Sequence, residues 1–193
     1  LPAELYPRTL LSSDEDQVIA HIRGSSGRTV LKPAFGARGQ DVFLLDQGAP
    51  NLRQIVESVL RQGAALVQDF VPEAIEGDTR VLVLAGDVLT VDAHICAVQR
   101  VPPADDFRSN VAVGGKPVPA ALRQDALEAA RRAAGWLMRD GIRIAGLDII
   151  GTKIIEANVF SPGGLPDAIK FEGVDFLAAL VNDWLGTANT QGS

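Results

Sequence analysis

The 193-residue sequence has few of the residues that build thiolate metal sites and histidine-based catalytic centres. It contains one cysteine, Cys96, so an internal disulfide and a cysteine-rich metal site are both excluded. Its two histidines, His21 and His94, lie far apart, which argues against a zinc site and against a Ser-His-Asp triad. These scarcities leave other side-chain types as the candidates for any chemistry.

Long hydrophobic runs and excess positive charge are also missing. No apolar run approaches the ~20 residues of a membrane span, and no charged segment followed by an apolar one opens the chain, so we expect a cytoplasmic protein without a membrane partner. The net charge of −6 argues against a nucleic-acid partner. Because 47% of the residues are hydrophobic, one sizeable domain or two small lobes can form cores. The chain begins with Leu1 rather than Met, and we expect that it lacks an upstream part.

Helical and strand patterns are interleaved along the chain and predict an α+β fold. Capping signals and apolar residues at helical spacing predict helices at residues 13–23, 50–63, 125–139 and 174–185. Residues 102–119 contain four prolines and a Gly-Gly pair with little periodicity. Loops of this length inside compact domains are usually functional, so this segment is predicted to be a lid. Without ligand, we expect residues 103–116 and the loop at residues 36–39 to be mobile.

Three oxygen-bearing side chains interrupt the apolar run that begins at Gly146. Asp148, Glu156 and Asn158 lie on two strand-like segments joined by residues 151–153. Glu156 and Asn158 share a strand face, and a three-residue turn would pair Asp148 with Glu156 on that face. Such a cluster of hard oxygen donors suits magnesium, which completes its octahedron with water and substrate phosphates. The alternative is a solvent-facing polar edge of an amphipathic hairpin.

A lysine and a glycine-containing loop occur together near the start of the chain. Lys32 ends a predicted strand, and Gly36 and Gly39 follow it in the loop at residues 35–39. Glycine lets the backbone approach a polyphosphate and lysine supplies a point charge, so the pair is a candidate phosphate clamp. An ordinary β-turn is the alternative. The segment is not a Walker loop, because the spacing G-x-x-x-x-G-K-[S/T] occurs nowhere in the sequence.

Three arginines occur between these two candidate sites. Arg80 starts a predicted strand, Arg100 ends one, and Arg108 lies inside the predicted lid. Arginines beside a magnesium and phosphate site suit the binding of carboxylates and of negative charge on a transferred phosphoryl group. As isolated surface residues they would carry no function. The proline-restricted stretch at residues 68–72 ends a buried strand and can offer backbone groups to an adenine edge.

In this order, the segments resemble the ATP-grasp domain of bacterial glutathione synthetase over nearly the whole chain. The most specific matches are residues 77–81, 100–102, 108–110 with 114–115, 146–151 and 156–162. The resemblance implies an α+β ATP-grasp fold whose two lobes, with mixed or antiparallel sheets, hold ATP between them. The small lobe would span about residues 10–70 and the large lobe about residues 71–186. The implied activity is ATP-dependent carboxylate-amine ligation, in which the γ-phosphate passes to a carboxylate and an amine attacks the acyl phosphate.

The resemblance also implies a role for each matching residue. The implied ATP-binding residues are Lys32, Gly36, Arg38, Gly39, Gln68, Asp69, Phe70 and Val71. Magnesium, with manganese as a second option, would be held by Asp148, Glu156 and Asn158. The catalytic residues, facing the substrate carboxylate or its acyl phosphate, would be Arg80 and Arg100. The implied substrate and lid residues are Arg108, Asn110, Ser161, Gly163 and Gly164.

The chain departs from the glutathione synthetase pattern in several places. Arg38 stands where the synthetases carry a third glycine, and this form of the loop is more similar to RimK-type amino-acid ligases. The longer spacing between Arg80 and Arg100 predicts a bulge or extension, and residues 161–166 replace a more polar turn. The family's N-terminal substrate domain and a further ATP-contacting lysine are expected to be absent from this sequence.

Three functions therefore stay open. The first is a glutathione synthetase-like ligase that joins glycine to γ-glutamylcysteine. The second is a RimK-type or other amino-acid or peptide ligase with a different acceptor. The third is a nucleotide-binding module that has lost catalysis. The expected partners are small-molecule carboxylate and amine substrates, and assembly into a homo-oligomer also stays open.

Overall fold

The computed structural model describes residues 1–36 and 39–190, which are organised by two main antiparallel β-sheets. The strands are β1 (Thr9–Ser12), β2 (Thr29–Pro33), β3 (Phe43–Leu45), β4 (Ala65–Asp69), β5 (Asp78–Leu84), β6 (Asp87–Val88), β7 (Thr90–Val91), β8 (His94–Ile95), β9 (Ala97–Val101), β10 (Lys116–Pro119), β11 (Ile144–Ile150) and β12 (Lys153–Asn158). The α-helices are α1 (Glu15–Arg23), α2 (Leu52–Leu60), α3 (Gln124–Arg139), α4 (Leu165–Glu172) and α5 (Phe176–Thr190). No helix in this part of the chain is long and apolar enough to cross a membrane.

The first sheet has the strand order β1-β4-β2-β3 and packs against α1 and α2. Helix α1 begins at a cap in which the Asp14 side chain accepts a hydrogen bond from the Gln17 N–H. Its buried residues Val18, Ile19 and Ile22 form one apolar stripe because residues three and four apart share a helix face. The same core contains Leu31, Leu45, Val56, Val59 and Val67. The other face of this sheet is left to line a cavity.

The second sheet has the order β10-β9-β5-β11-β12, with β6 paired to β5, and helices pack on both faces. Alternation along β5 sends Val81 and Val83 to the face packed on α3 and sends Leu82 to the face packed on α4 and α5. The same alternation places Arg80 on the face of Leu82, nearer the start of the strand. One face of this sheet is therefore apolar core at one end and charged at the other.

The hairpin of β11 and β12 confirms the predicted pairing of Asp148 with Glu156. The predicted three-residue turn is wrong, because Ile150 pairs with Lys153 and only residues 151–152 form the turn. The register then shifts next to Asp148, which leaves Ile155 as an extra residue in β12. This β-bulge reverses the alternation, so that Ile154 packs in the core while Glu156 stands opposite Asp148.

A two-stranded ribbon of β7 and β8 forms the predicted extension between Arg80 and Arg100. The Leu89 N–H donates to the Leu82 carbonyl at 2.9 Å, and the Cys96 N–H donates to the Leu89 carbonyl at 2.8 Å. The chain therefore leaves the sheet after Leu89 and returns at Cys96. The single strand predicted across residues 88–101 is wrong for this reason.

Three elements were not predicted from the sequence. Strand β1 precedes the first helix, strand β10 takes up residues 116–119 of the predicted lid, and α4 follows the hairpin. The lid is therefore limited to residues 102–115. Helix α4 does carry sequence signals, since Pro166 lies in its first turn and Gly173 ends it at a φ of 69°.

Candidate active site

A cavity of about 1120 Å³ lies between the two sheets and is lined by residues of both. The first sheet contributes predicted residues Lys32, Gly36, Gly39, Gln68, Asp69, Phe70 and Val71. The second sheet and the segments around it contribute Arg80, Arg100, Arg108, Asn110, Asp148, Glu156, Asn158, Ser161, Gly163 and Gly164. Arg38 lies outside the described residues. The structure thus brings the other predicted site residues together around one space.

Asp148 is the centre of the charged end of the second sheet. It lies on β11 directly opposite Arg80 on β5 and is 3% exposed. Arg80 Nε donates to Asp148 Oδ1 at 2.7 Å, and Arg80 Nη2 donates to Asp148 Oδ2 at 2.7 Å. Arg100 Nη2 approaches Asp148 Oδ2 at 2.8 Å. One buried carboxylate is therefore held between two guanidinium groups. Hydrogen bonds between two charged groups are stronger than those between neutral groups.

Arg100 also has a carboxylate partner of its own. Its Nε donates to Asp78 Oδ1 at 2.7 Å and its Nη2 to Asp78 Oδ2 at 2.5 Å. Both side chains are about nine-tenths buried. Burial raises the pKa of the Asp78 carboxyl, while hydrogen bonds from Arg100 and Ser109 oppose that rise. Asp78 thus anchors Arg100 and joins the lid residue Ser109 to the sheet.

Glu156 and Asn158 stand beside Asp148 on the neighbouring strand. In the orientation of the Asn158 amide that satisfies its neighbours, the amide nitrogen donates to Glu156 Oε1 at 3.0 Å and the amide oxygen accepts from Arg80 Nη2 at 2.9 Å. Burial and the Asp148 charge raise the pKa of Glu156, and Lys32 opposes this. Burial lowers the pKa of Lys32, and the nearby carboxylates of Glu156 and Asp148 oppose that decrease.

The donor set fits magnesium better than zinc. The described residues contain no group of three or more His, Cys, Asp or Glu side chains placed to hold a metal ion. The cluster instead offers two carboxylates, Asp148 and Glu156, and the amide of Asn158. Magnesium binds through one or two carboxylates and keeps waters and phosphate oxygens as its other ligands, so a cluster of this size is sufficient.

The lid crosses the cavity and contacts the glycine loop of the first sheet. Arg108 Nη1 donates to the Gly39 carbonyl at 2.8 Å, and Asp106 holds the same guanidinium in place. A Cβ atom on Gly39 would lie 2.8 Å from Asn110 Oδ1, so glycine lets the lid come this close. The Phe107 ring meets the Phe70 ring edge to face at 6.1 Å. The predicted mobility of these two segments stays a prediction.

Several polar groups of the strand end at residues 68–71 are already hydrogen-bonded within the protein. Gln68 is buried, and its Nε2 donates to Thr9 Oγ1 at 3.3 Å. The N–H groups of Asp69 and Phe70 donate to the carbonyls of Arg8 and Arg28, each at 2.9 Å. Neither N–H is therefore available to a ligand. In this segment, the groups left to contact a ligand in the cavity are mainly the Phe70 ring and the backbone at Val71.

Comparison with known proteins accounts for this combination of fold and site. Residues 2–172 match the family described as prokaryotic glutathione synthetase, ATP-grasp domain. The chain belongs to this family. It is 36% identical over 174 residues to the glutathione synthetase of Synechocystis sp., with 89% of this chain and 52% of the relative covered. It is 33% identical over 180 residues to that of Agrobacterium fabrum, with 92% and 54% covered. The chain thus spans about half the length of the curated relatives it matches.

Solved structures confirm the ATP-grasp fold. The D-alanine–D-alanine ligase of Bacillus anthracis superposes with a TM-score of 0.66 at 12% identity, over 96% of this chain and 64% of the other. The ATP-grasp ligase PsnB complexed with its minimal precursor superposes with a TM-score of 0.62 at 21% identity, over 95% and 55%. The resemblance to the glutathione synthetase family and the α+β ATP-grasp fold were therefore predicted correctly.

The turn after the hairpin of this glutathione synthetase-type domain packs on Arg80. A Cβ on Gly163 would lie 3.4 Å from Arg80 Nη1, and one on Gly164 would lie 3.5 Å from Arg80 Cδ. Gly164 also has a φ of 100°, where glycine is favoured. Next to this turn, the Phe160 side chain is fully exposed at the rim of the cavity. The segment where the sequence leaves the synthetase pattern therefore lies beside Arg80.

Sequence reasoning missed four residues of this site. Asp78 could have been found, since it precedes Arg80 by two residues and so shares its strand face. Asp167, in the first turn of α4, also lines the cavity. Phe107 and Ser109 become visible only through contacts with Phe70 and Asp78, which the sequence does not encode locally.

Proposed function

We propose that this chain is the ATP-grasp portion of an ATP-dependent carboxylate-amine ligase most similar to glutathione synthetase. The observation that carries the proposal is the buried Asp148 carboxylate, held by Arg80 and Arg100 beside Glu156 and facing Lys32 across one cavity. Family membership and the glutathione synthetase relatives support this assignment. Phosphoryl transfer requires positioning and charge stabilisation rather than a covalent nucleophile, and this site offers both.

ATP would bind with its phosphates toward Lys32 and its adenine toward the strand end. The backbone at Gly36 and Gly39, together with Lys32, would support the phosphates, since glycine allows close approach and lysine supplies charge. The adenine would lie against Phe70, with the backbone at Val71 as its polar contact. Pockets for drug-sized ligands measure roughly 300–1,000 Å³. The cavity of about 1120 Å³ is therefore large enough for a nucleotide and a small second substrate.

Magnesium would be held by Asp148, Glu156 and Asn158, and manganese suits the same oxygen donors. A structure of the ATP-grasp ligase PsnB contains magnesium and ADP, which supports the assignment by fold. When bound, the metal supplies positive charge that offsets the charge on the phosphate oxygens. Arg80 and Arg100 would orient the substrate carboxylate and stabilise the negative charge on the transferred phosphoryl group.

The proposed reaction has two steps. A substrate carboxylate oxygen attacks the γ-phosphorus of ATP, the bond to the β-phosphate oxygen breaks, and ADP leaves an acyl phosphate. An amine then attacks the acyl carbon, phosphate departs with the bonding electrons, and the amine loses a proton to give an amide. The Arg108 lid over the cavity would limit hydrolysis of the acyl phosphate by excluding water.

Glycine and γ-glutamylcysteine are the substrates that the family supports best. Gly163 and Gly164 lie beside Arg80, so the turn at residues 160–164 would contact the substrate and decide between these substrates and those of a RimK-type ligase. A screen of amine acceptors, read by ADP release from the full-length protein, separates the two. A cytoplasmic location and a homo-oligomeric state stay predictions.

Substitution of the metal-ligand carboxylates tests the assignment. Asp148→Asn and Glu156→Gln in the full-length protein should abolish ATP-dependent ligation while the thermal unfolding transition is retained. Glu128→Gln is the matched control, because Glu128 is exposed on α3, against the opposite face of the sheet. Unchanged turnover in both site variants would refute the proposal. If the wild-type protein shows no magnesium-dependent ATP binding by calorimetry, the ligase assignment is wrong.

A further inference from the structure

The guanidinium of Arg80 occupies the oxygens that the metal site needs. It donates to both carboxylate oxygens of Asp148, each at 2.7 Å. Its Nη2 also lies 2.9 Å from the amide oxygen of Asn158 in the satisfied orientation. Two of the three proposed metal ligands are therefore engaged by one cation.

A divalent cation bound to Asp148 and Asn158 would lie close to this guanidinium and would be repelled by it. Asp148 is 3% exposed, so little solvent is present to screen two cations placed on one carboxylate. Metal binding to these two residues is therefore opposed by Arg80 in its present position.

Arg100 differs from Arg80 in having a separate anchor. Its bidentate contact with Asp78 is complete without Asp148, which it meets through Nη2 alone. Around Arg80, by contrast, three glycines contribute no side chains, and Cβ atoms added at Gly146, Gly163 and Gly164 would lie within 3.5 Å of the arginine. Arg100 therefore keeps a carboxylate partner when Asp148 is engaged elsewhere, whereas Arg80 contacts Asp148 and Asn158 and is flanked only by glycine backbone on this side.

We propose that Arg80 occupies the metal site of the metal-free protein and is displaced when the divalent cation binds. Displacement frees its guanidinium for the anionic substrate, so that metal binding and presentation of this arginine occur together. The inference rests on the proposed function and adds to it an order of events at the same residues. Arg80 is both a competitor of the metal and a ligand for the substrate.

The test is Mn²⁺ binding to the full-length protein without nucleotide, measured by the loss of the free Mn²⁺ signal in electron paramagnetic resonance. Arg80→Met removes the competitor, so we expect binding about tenfold tighter or more than in the wild type, the range for a lost bidentate charged contact. Lys32→Met is the matched control. It removes the same charge near Asp148 and Glu156, on which Lys32 acts through space, and we expect a change of about threefold or less.

A lysine in place of Arg80 provides a second variant. Arg80→Lys keeps the charge but cannot make the bidentate contact, so its Mn²⁺ affinity should lie between those of the wild type and Arg80→Met. If Arg80→Met shows no thermal unfolding transition, Arg80→Lys alone tests the proposal, and an Mn²⁺ affinity equal to that of the wild type overturns it.

Equal increases in Arg80→Met and Lys32→Met would show a general charge effect and would overturn the proposal while leaving the metal site intact. Absence of Mn²⁺ binding in all variants would overturn this inference. Calorimetry of magnesium with ATP then tests the proposed function separately. Magnesium-dependent ATP binding would leave the proposed function standing, and its absence would overturn that function as well.

Discussion

Replacement of Gly77 by alanine tests how closely the start of β5 is fitted to Arg100. Gly77 has a φ of 102°, and a Cβ at this position would lie 2.0 Å from the carbonyl oxygen of Arg100. Real Cβ contacts below 3.0 Å essentially do not occur, so the two backbones must separate by about 1 Å. The displaced residue is the one whose side chain contacts Asp78 and Asp148.

Gly63→Ala is the matched control for this change. Gly63 has a similar φ of 117°, but no atom lies within 4 Å of the added Cβ. Both variants therefore carry the backbone strain of an alanine at positive φ, about 1–3 kcal/mol. Only Gly77→Ala also weakens the two charge-assisted hydrogen bonds from Arg100 to Asp78, worth about 1.5–3 kcal/mol each. We expect Gly77→Ala to be less stable than Gly63→Ala by about 2 kcal/mol or more.

Urea denaturation of both variants measures this difference, and the proposed ligation gives a second readout. A misplacement of about 1 Å in a catalytic group can reduce rates about 100-fold, so kcat/KM should fall by that order in Gly77→Ala and stay near wild type in Gly63→Ala. Equal free energies of unfolding in the two variants would refute the reasoning, because they would show that the sheet absorbs the clash without moving Arg100.

Three further outcomes are expected. Arg100→Met should lower the free energy of unfolding by about 3–5 kcal/mol, because Asp78 is left buried without its arginine partner. Adding Asp78→Asn should restore part of this loss in a double-mutant cycle measured by urea denaturation, and additive losses would contradict the pairing. Gly115→Ala, whose Cβ would lie 1.9 Å from the Ser109 carbonyl, should displace the lid and lower kcat/KM while changing the free energy of unfolding less than Gly77→Ala does. Burial lowers the pKa of His21, so the unfolded chain binds more protons than the folded one. The free energy of unfolding should therefore fall as pH decreases below about 6.5, and an unchanged dependence on pH in His21→Gln would refute this.

Local patterns predicted the pairings of the hairpin but not its shape. The apolar strands around Asp148 and Glu156 gave the correct opposition of these residues. The turn was wrong because a three-residue turn and a two-residue turn with a bulge both place Asp148 opposite Glu156. Only the core position of Ile154 separates the two solutions, and that position depends on packing against α3, which the hairpin sequence itself does not contain.

The contacts that make the site were less accessible from the sequence. Arg80 and Arg100 do lie beside the hairpin of Asp148 and Glu156, but both were expected to face the substrate rather than Asp148. Without ligand, a buried carboxylate needs a cation, and strand neighbours are the nearest source. The contact of Arg108 with Gly39 could not be predicted either, because it joins segments beside two different sheets whose relative placement no local pattern specifies.

The bulge at Ile155 affects the orientation of the Glu156 and Asn158 side chains rather than the pairing of the strands. If Ile155 were deleted, a regular hairpin could still pair Ile149 with Ile154, Asp148 with Glu156 and Gly146 with Asn158, as the bulged one does. What would be lost is the bend and the added twist that a bulge gives its strand. The extra residue therefore changes the orientation of Glu156 and Asn158 relative to Asp148 through this bend and twist. Shortening β12 by one residue would leave the strand pairs unchanged and alter the orientation of Glu156 and Asn158 relative to Asp148.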